Sequence, residues 1–180
     1  MYPSRKPSTL NRFFAGLAES TFQSHLGVCD PALVGYLTDL LVRFSRTDTV
    51  YHVRQPMGRR VDQVVDMLIE AEQRVGDARR ALYRHIGDFI LFWSGVYPEA
   101  LPRMQGPLHK DALVDYTEQG KRSYDLASRM RTRENEEECD VLHRLSREFE
   151  LCVFGLGEIR REWQRRDDDE GSPSGPLWIN

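Results

Sequence analysis

The chain has 180 residues, of which 40% are hydrophobic and 29% are charged, and its formal net charge is −3 at pH 7. This length and hydrophobic content suit one soluble domain with a core of its own, while a nucleic-acid-binding surface usually needs a strong basic excess. Three cysteines without a CxxC pair predict neither a disulfide framework nor a zinc knuckle. We therefore expect reduced thiols and a cytoplasmic location.

The N-terminal segment predicts an arm followed by a first helix. Residues 1–8 hold two prolines among polar side chains, which is typical of a flexible arm. Ser8 or Thr9 can cap a helix that ends near Leu26. Glu19 interrupts the apolar run of this helix too early for a signal peptide.

A second helix is predicted from the pair Asp30–Pro31, because Asp accepts backbone N–H bonds and Pro fits the first turn. Its apolar positions recur at helical spacing until about Arg46. A loop over 47–57 is expected next, and a third helix is expected from about Gly58.

The boundary between the third and fourth helices has two interpretations. Gly76 and Asp77 can end one helix and cap the next, but the apolar stripe continues to Trp93, so one long, slightly broken helix is the alternative. The stretch 89–97 is apolar around much of the helix circumference, which is typical of a buried central helix. It is far shorter than the roughly 20 residues that span a bilayer, so no membrane-spanning segment is predicted.

The C-terminal half predicts two more helices, over 109–131 and 133–166, after a proline-rich loop. The middle of the fifth helix carries small residues, Gly120 and Ser123, on its apolar face, so a neighbouring helix can approach closely there. The sixth helix carries a heptad stripe at Leu142, Leu145, Phe149, Cys152, Leu156, Ile159 and Trp163. An acidic tail over 167–180 is expected to be disordered.

These patterns predict an all-α protein: a helical bundle of five to six helices over 9–166, with a long C-terminal helix. Within it, His85 and Asp88 lie three residues apart on the most apolar helix, and therefore on one face. Buried polar groups must find partners, because leaving one unpaired costs about 1–3 kcal/mol. The pair predicts either a metal or acid–base site, or a structural pair bonded to Arg or Tyr from another helix.

The fifth helix can extend that candidate site. Tyr116, Lys121 and Tyr124 supply a cation and two hydroxyls that could converge with His85 and Asp88 on one ligand-binding cleft. The alternative is that the segment 119–124 serves close packing while its cations are solvated.

A second i, i+3 pair, Asp140 and His143, resembles the Glu-x-x-His spacing of di-iron bundles. Together with His85 and Asp88 it makes a set of weak metal candidates. However, Asp is shorter than Glu, and in the pair His85 and Asp88 the histidine comes before the carboxylate, which is the reverse of the di-iron order. We therefore predict no metal and no cofactor.

No phosphate-binding loop, dinucleotide fingerprint, zinc-protease motif or nucleophile elbow occurs in the sequence, so whether the protein is an enzyme stays open. The leading hypothesis is a protein-interaction or self-association module, with a protein partner or a second copy in a homodimer, because the heptad stripe can pack either within the chain or between chains. The apolar end, 176–180, could dock on such a partner. The alternative is a ligand- or metal-binding bundle, possibly an enzyme, around His85 and Asp88.

Two sequence segments, 85–99 and 119–124, resemble a bacterial family of uncharacterised all-helical proteins. The resemblance covers most of 10–165. It implies a bacterial origin and an all-helical fold, and it implies no activity, cofactor or catalytic residue.

Overall fold

The computed structural model describes residues 9–45 and 63–169, with side chains as far as 166. Eight α-helices and no strands occur in these two ranges, which confirms the all-α fold class. The helices are α1 (Thr9–Glu19, extended by a π-helical turn, Ser20–His25), α2 (Pro31–Phe44), α3 (Val64–Gln73), α4 (Gly76–Val96), α5 (Leu101–Met104), α6 (Tyr116–Arg129), α7 (Glu136–Arg147) and α8 (Phe149–Asp169).

Helix α4 is the centre of the bundle. It packs most extensively along α6 and α8, and it also contacts α2 and α3. Every residue from Ile86 to Phe92 is buried, so the helix is enclosed around its circumference there. Of the stretch 89–97 that was predicted to be buried, every residue is buried except Trp93 and Ser94, which are half-buried.

Extended backbone at Arg74 and Val75, both with ψ of 159°, separates α3 from α4 and excludes one continuous helix. The first residue of α4 is Gly76, whose φ of 57° is a conformation that side chains with a Cβ rarely adopt. The predicted cap at Asp77 is wrong. Val75 is the N-cap, and it makes no side-chain cap bond.

The predicted sixth helix is two helices, because Glu148 leaves helical geometry, with φ −109° and ψ 27°, between α7 and α8. Because the break is only one residue long, the apolar positions of α7 and α8 remain aligned in one stripe. The heptad positions from Leu142 to Ile159 are accordingly all buried, and Trp163 is half-buried. The stripe therefore packs inside the chain.

Two other predicted boundaries also move. Helix α6 begins at Tyr116 and not at 109, because Lys110–Leu113 form a separate 3-10 turn and the Asp115 side chain caps α6 by accepting from the Glu118 N–H at 3.1 Å. Helix α8 continues to Asp169, past the predicted end at 166.

The close approach expected at the middle of the fifth predicted helix is confirmed at Gly120. A Cβ added there would lie 2.5 Å from Cζ of Phe149 and 3.3 Å from Cγ2 of Ile90. Gly120 thus lets α6 pack directly against α8 and α4.

Several predictions fall on residues outside the described ranges: the arm over 1–8, the loop over 47–57, the helix start near Gly58, and the C-terminal tail from 170, with its apolar end. None of the helices in the described part of the chain combines the length and the apolar character that crossing a membrane requires.

Candidate functional site

The buried carboxylate of Asp88 joins three helices. Its side chain is completely buried. Oδ1 accepts hydrogen bonds from the hydroxyls of Tyr36 on α2, at 2.7 Å, and Tyr124 on α6, at 2.8 Å. Oδ2 accepts from Nη1 of Arg43 at 3.0 Å. These three donors come from side chains other than His85, as the structural interpretation anticipated.

The chemistry of this network is that of a fixed anchor. Burial, reinforced by the charge of Asp88, holds the pKa of Tyr36 and of Tyr124 well above the ordinary value of 10.0. Burial alone would lower the pKa of Arg43, but the attraction of Asp88 outweighs it and raises that pKa. Both tyrosines therefore stay protonated donors and Arg43 stays a cation, so these groups have no proton to exchange near neutral pH.

Next to this anchor, Glu138 on α7 binds two arginines of α4. Its Oε2 lies 2.5 Å from Nη2 of Arg80, and its Oε1 accepts from Arg84. An open cavity of about 280 Å³ lies over the two clusters. Its charged lining residues balance, two arginines against two carboxylates: Arg43, Arg84, Asp39 and Glu138. The cavity therefore has no net preference for an anion or a cation.

The other residues of the predicted cleft lie elsewhere. His85 stacks on Phe44, with ring centroids 6.0 Å apart. Tyr116 donates to Asp111 at 2.7 Å, and Lys121 lies 2.7 Å from Glu150 of α8. The structure therefore brings together only Asp88 and Tyr124 of the five, and it does not form the predicted cleft.

The metal candidates do not converge either. Asp140 is exposed and pairs with Arg131, and His143 is exposed on the same helix. Asp88 already has three donors. Across residues 9–45 and 63–169, no group of three or more His, Cys, Asp or Glu side chains is placed to hold a metal ion.

A second cavity, which the sequence did not predict, lies against the C-terminal half of α4. It has a volume of about 240 Å³ and is mostly apolar. Its floor includes Phe89 and Trp93, whose rings meet edge to face with centroids 6.2 Å apart. The rest of the lining comes from the start of α3 and from the segment after α4: Gln63, Ala100, Arg103, Met104 and His109.

Two residues that line this cavity each hold a buried polar atom that no described residue satisfies. Nε1 of Trp93 and Oε1 of Gln63 are both screened from solvent, and neither has a hydrogen-bond partner within the described ranges. Leaving such groups unpaired costs about 1–3 kcal/mol each. Both atoms therefore carry this cost inside the wall of the cavity, where neither is exposed to its interior.

A buried aspartate holds the cavity wall in place. The Asp111 carboxylate accepts from the backbone N–H groups of Val64 and Val65, at 2.8 and 2.9 Å, and from the Tyr116 hydroxyl. Burial is the largest cause that raises the pKa of Tyr116, so its hydroxyl stays a donor. Asp111 thus caps α3 from a distant turn. The same bonds hold Gln63 near His109, whose Nδ1 lies 3.3 Å from the Gln63 amide nitrogen.

Sequence reasoning missed this cavity for identifiable reasons. Trp93 was assigned to the core from its place in an apolar stripe. Arg103, Met104 and His109 lie in or beside the segment expected to be a plain loop. The one available signal was that an apolar helix with an aromatic end is followed by three prolines within ten residues, Pro98, Pro102 and Pro107.

Comparison with known protein families finds no family model that matches the chain. Searches among curated proteins and among solved structures also find no match. The resemblance to a bacterial helical family therefore stays a prediction.

Proposed function

We propose that this protein binds a small, largely apolar ligand in the cavity over Phe89 and Trp93. The single observation that carries the proposal is the composition of that cavity: an aromatic floor, apolar walls and a few polar groups at its edge. Ligand sites in proteins typically combine a mostly apolar lining with a small number of polar groups that orient the ligand.

The size of the cavity limits the ligand. About 240 Å³ suits a molecule, or the part of one, with one or two fused rings. Trp93 is the half-exposed ring of the floor, and it is supported edge to face by Phe89, which is only 1% exposed, so the floor is preorganised. A preformed floor reduces the entropy lost on binding, because these side chains need not be ordered by the ligand.

The Asp88 network is a less suitable binding site than the cavity over Phe89 and Trp93. Its carboxylate is saturated by Tyr36, Tyr124 and Arg43, and it is shielded from solvent. A ligand at Asp88 would have to displace these donors, and the displaced groups would gain no compensating interaction. We therefore assign the network to stability and the second cavity to binding.

The hypothesis of a protein-interaction or self-association module keeps less support. That hypothesis rested on the heptad stripe, but the stripe is buried between helices of the same chain. The three cysteines are free thiols, which supports the proposed cytoplasmic location.

Calorimetric titration with indole and with naphthalene-2-carboxamide, two neutral aromatic probes, tests the proposed function. We expect saturable binding by the wild-type protein and its loss in Ala100→Phe, which fills the cavity from its wall. Ala112→Phe is the matched control, because Ala112 is exposed in the neighbouring 3-10 turn and does not line the cavity. Absence of binding by both probes, or equal binding to Ala100→Phe, contradicts the proposal.

A further inference from the structure

We infer that the ligand of this cavity is a small aromatic carboxylate, with its rings over Phe89 and Trp93 and its carboxylate at Arg103. The inference rests on the proposed function and adds the chemical class of the ligand. It is carried by the charge of the lining and by the partners of the nearby cations.

The lining has one formal charge. Of the seven residues that border the cavity, Arg103 is the one permanently charged side chain, and none is Asp or Glu. The cavity therefore offers a positive potential at its edge and no carboxylate to oppose an incoming anion.

Arg103 also differs from its neighbours in having no partner. In the part of the chain that the structure describes, its guanidinium makes no ion pair, whereas Arg160 binds Glu99 at 2.6 Å. The nearby Lys110 lies 2.6 Å from Asp66. Arg103 is thus the cation at this cavity that is left available to a ligand.

The geometry of an arginine suits a carboxylate better than a single acceptor atom. The planar guanidinium can donate two parallel N–H bonds to the two oxygens of a carboxylate. His109 lines the same cavity, and its Nδ1 lies 3.3 Å from the Gln63 amide nitrogen.

The apolar lining selects against strongly hydrated anions. One guanidinium on a largely apolar cavity does not compensate the desolvation of a doubly charged phosphate or sulfate. A monoanion with an aromatic body satisfies both parts of the site, since its rings cover the aromatic floor while its charge stays at the exposed edge.

Paired probes test the inference. Calorimetry would compare naphthalene-2-carboxylate with naphthalene-2-carboxamide, which has nearly the same shape and no charge. For the wild-type protein at low salt we expect the carboxylate to bind about tenfold more tightly, as a charge-assisted bidentate contact implies. Arg103→Gln should abolish this preference while leaving the carboxamide affinity unchanged, and Arg103→Lys should keep part of it.

Arg133→Gln is the matched control, because Arg133 is exposed in the turn between α6 and α7, away from the cavity lining. If both probes bind equally and Arg103→Gln changes neither affinity, the carboxylate inference fails and the proposed function stands. If neither of these probes binds and indole does not bind either, the proposed function itself fails. Tighter carboxylate binding that survives Ala100→Phe places the anion at another site and also overturns the inference.

Discussion

Tyr124 and Asp88 form a buried hydrogen bond of 2.8 Å between helices α6 and α4, and neither side chain is exposed. The Tyr124 ring lies against Gly87, where a Cβ would come within 2.8 Å of Cδ1 of that ring. Two successive residues of α4 therefore position this tyrosine, Gly87 by its lack of a side chain and Asp88 by accepting the hydroxyl.

This bond predicts that Tyr124→Phe destabilises the protein by about 1–3 kcal/mol, because Asp88 loses one of its donors where no solvent can replace it. Urea denaturation followed by circular dichroism measures the change. Tyr83→Phe is the control: its hydroxyl donates to Glu72, whose side chain is 64% exposed, so water can take over that bond. Equal losses in the two variants would contradict a special role for the buried bond.

The ion pairs of Glu138 predict an acid-sensitive contribution to stability. Burial acts to raise the pKa of Glu138, but Arg80 and Arg84 together lower it below the ordinary value of 4.5. A carboxyl whose pKa is lower in the folded state stabilises the fold above the unfolded pKa, and this contribution is lost as the pH falls through the folded pKa. The loss should therefore begin near pH 4.5 and continue below it.

Glu138→Gln should flatten the dependence of the unfolding free energy on pH in this acidic range and should lower stability at pH 7. Urea titrations between about pH 3 and pH 7 provide the measurement. Glu137→Gln, at an exposed position of the same helix, should keep the wild-type slope. The same slope in the wild type and in Glu138→Gln would show that the two arginines do not hold this carboxylate.

The contact between Gly120 and Phe149 predicts that Gly120→Ala is destabilising, by about 1–3 kcal/mol, because the new Cβ would overlap a buried ring that has little room to move. Gly35→Ala is the matched control. Gly35 is exposed within α2 and has no atom within 4 Å of its would-be Cβ, so alanine should stabilise that helix by about 0.5–1 kcal/mol. Thermal melts of both variants should shift in opposite directions, and a shift of the same sign would argue against the close approach.

The three thiols should differ in reactivity. Cys29 is exposed, whereas Cys139 and Cys152 are buried, and burial is the main cause that raises the pKa of Cys152 to about 12. An aromatic disulfide reagent should label one thiol rapidly in the native protein and all three after unfolding, since the thiolate is the reacting species. Cys29→Ser should remove the rapid phase. A rapid phase that persists in this variant would mean that a buried thiol becomes exposed in the native state.

What could be read from the sequence was what depends on near neighbours in the chain. The spacing of apolar residues predicted the helices, the burial around α4 and the apolar stripe of α7 and α8, because a helix places every third or fourth residue on one side. Whether that stripe packs within the chain or between chains was not decided by the spacing. The predicted cap at Asp30 is also confirmed, since its side chain accepts from the Leu33 N–H at 3.0 Å. Each of these features is decided within a few residues.

The packing of distant segments decided the rest. Asp88 takes its donors from Tyr36, Arg43 and Tyr124, which lie between 36 and 52 residues away, and Asp111 caps α3 from a turn 46 and 47 residues further along. No local pattern records which side chains meet across helices, because that depends on how the helices cross. The cavity over Phe89 and Trp93 also depends on tertiary packing, because it lies between the start of α3, the C-terminal half of α4 and the segment that follows α4.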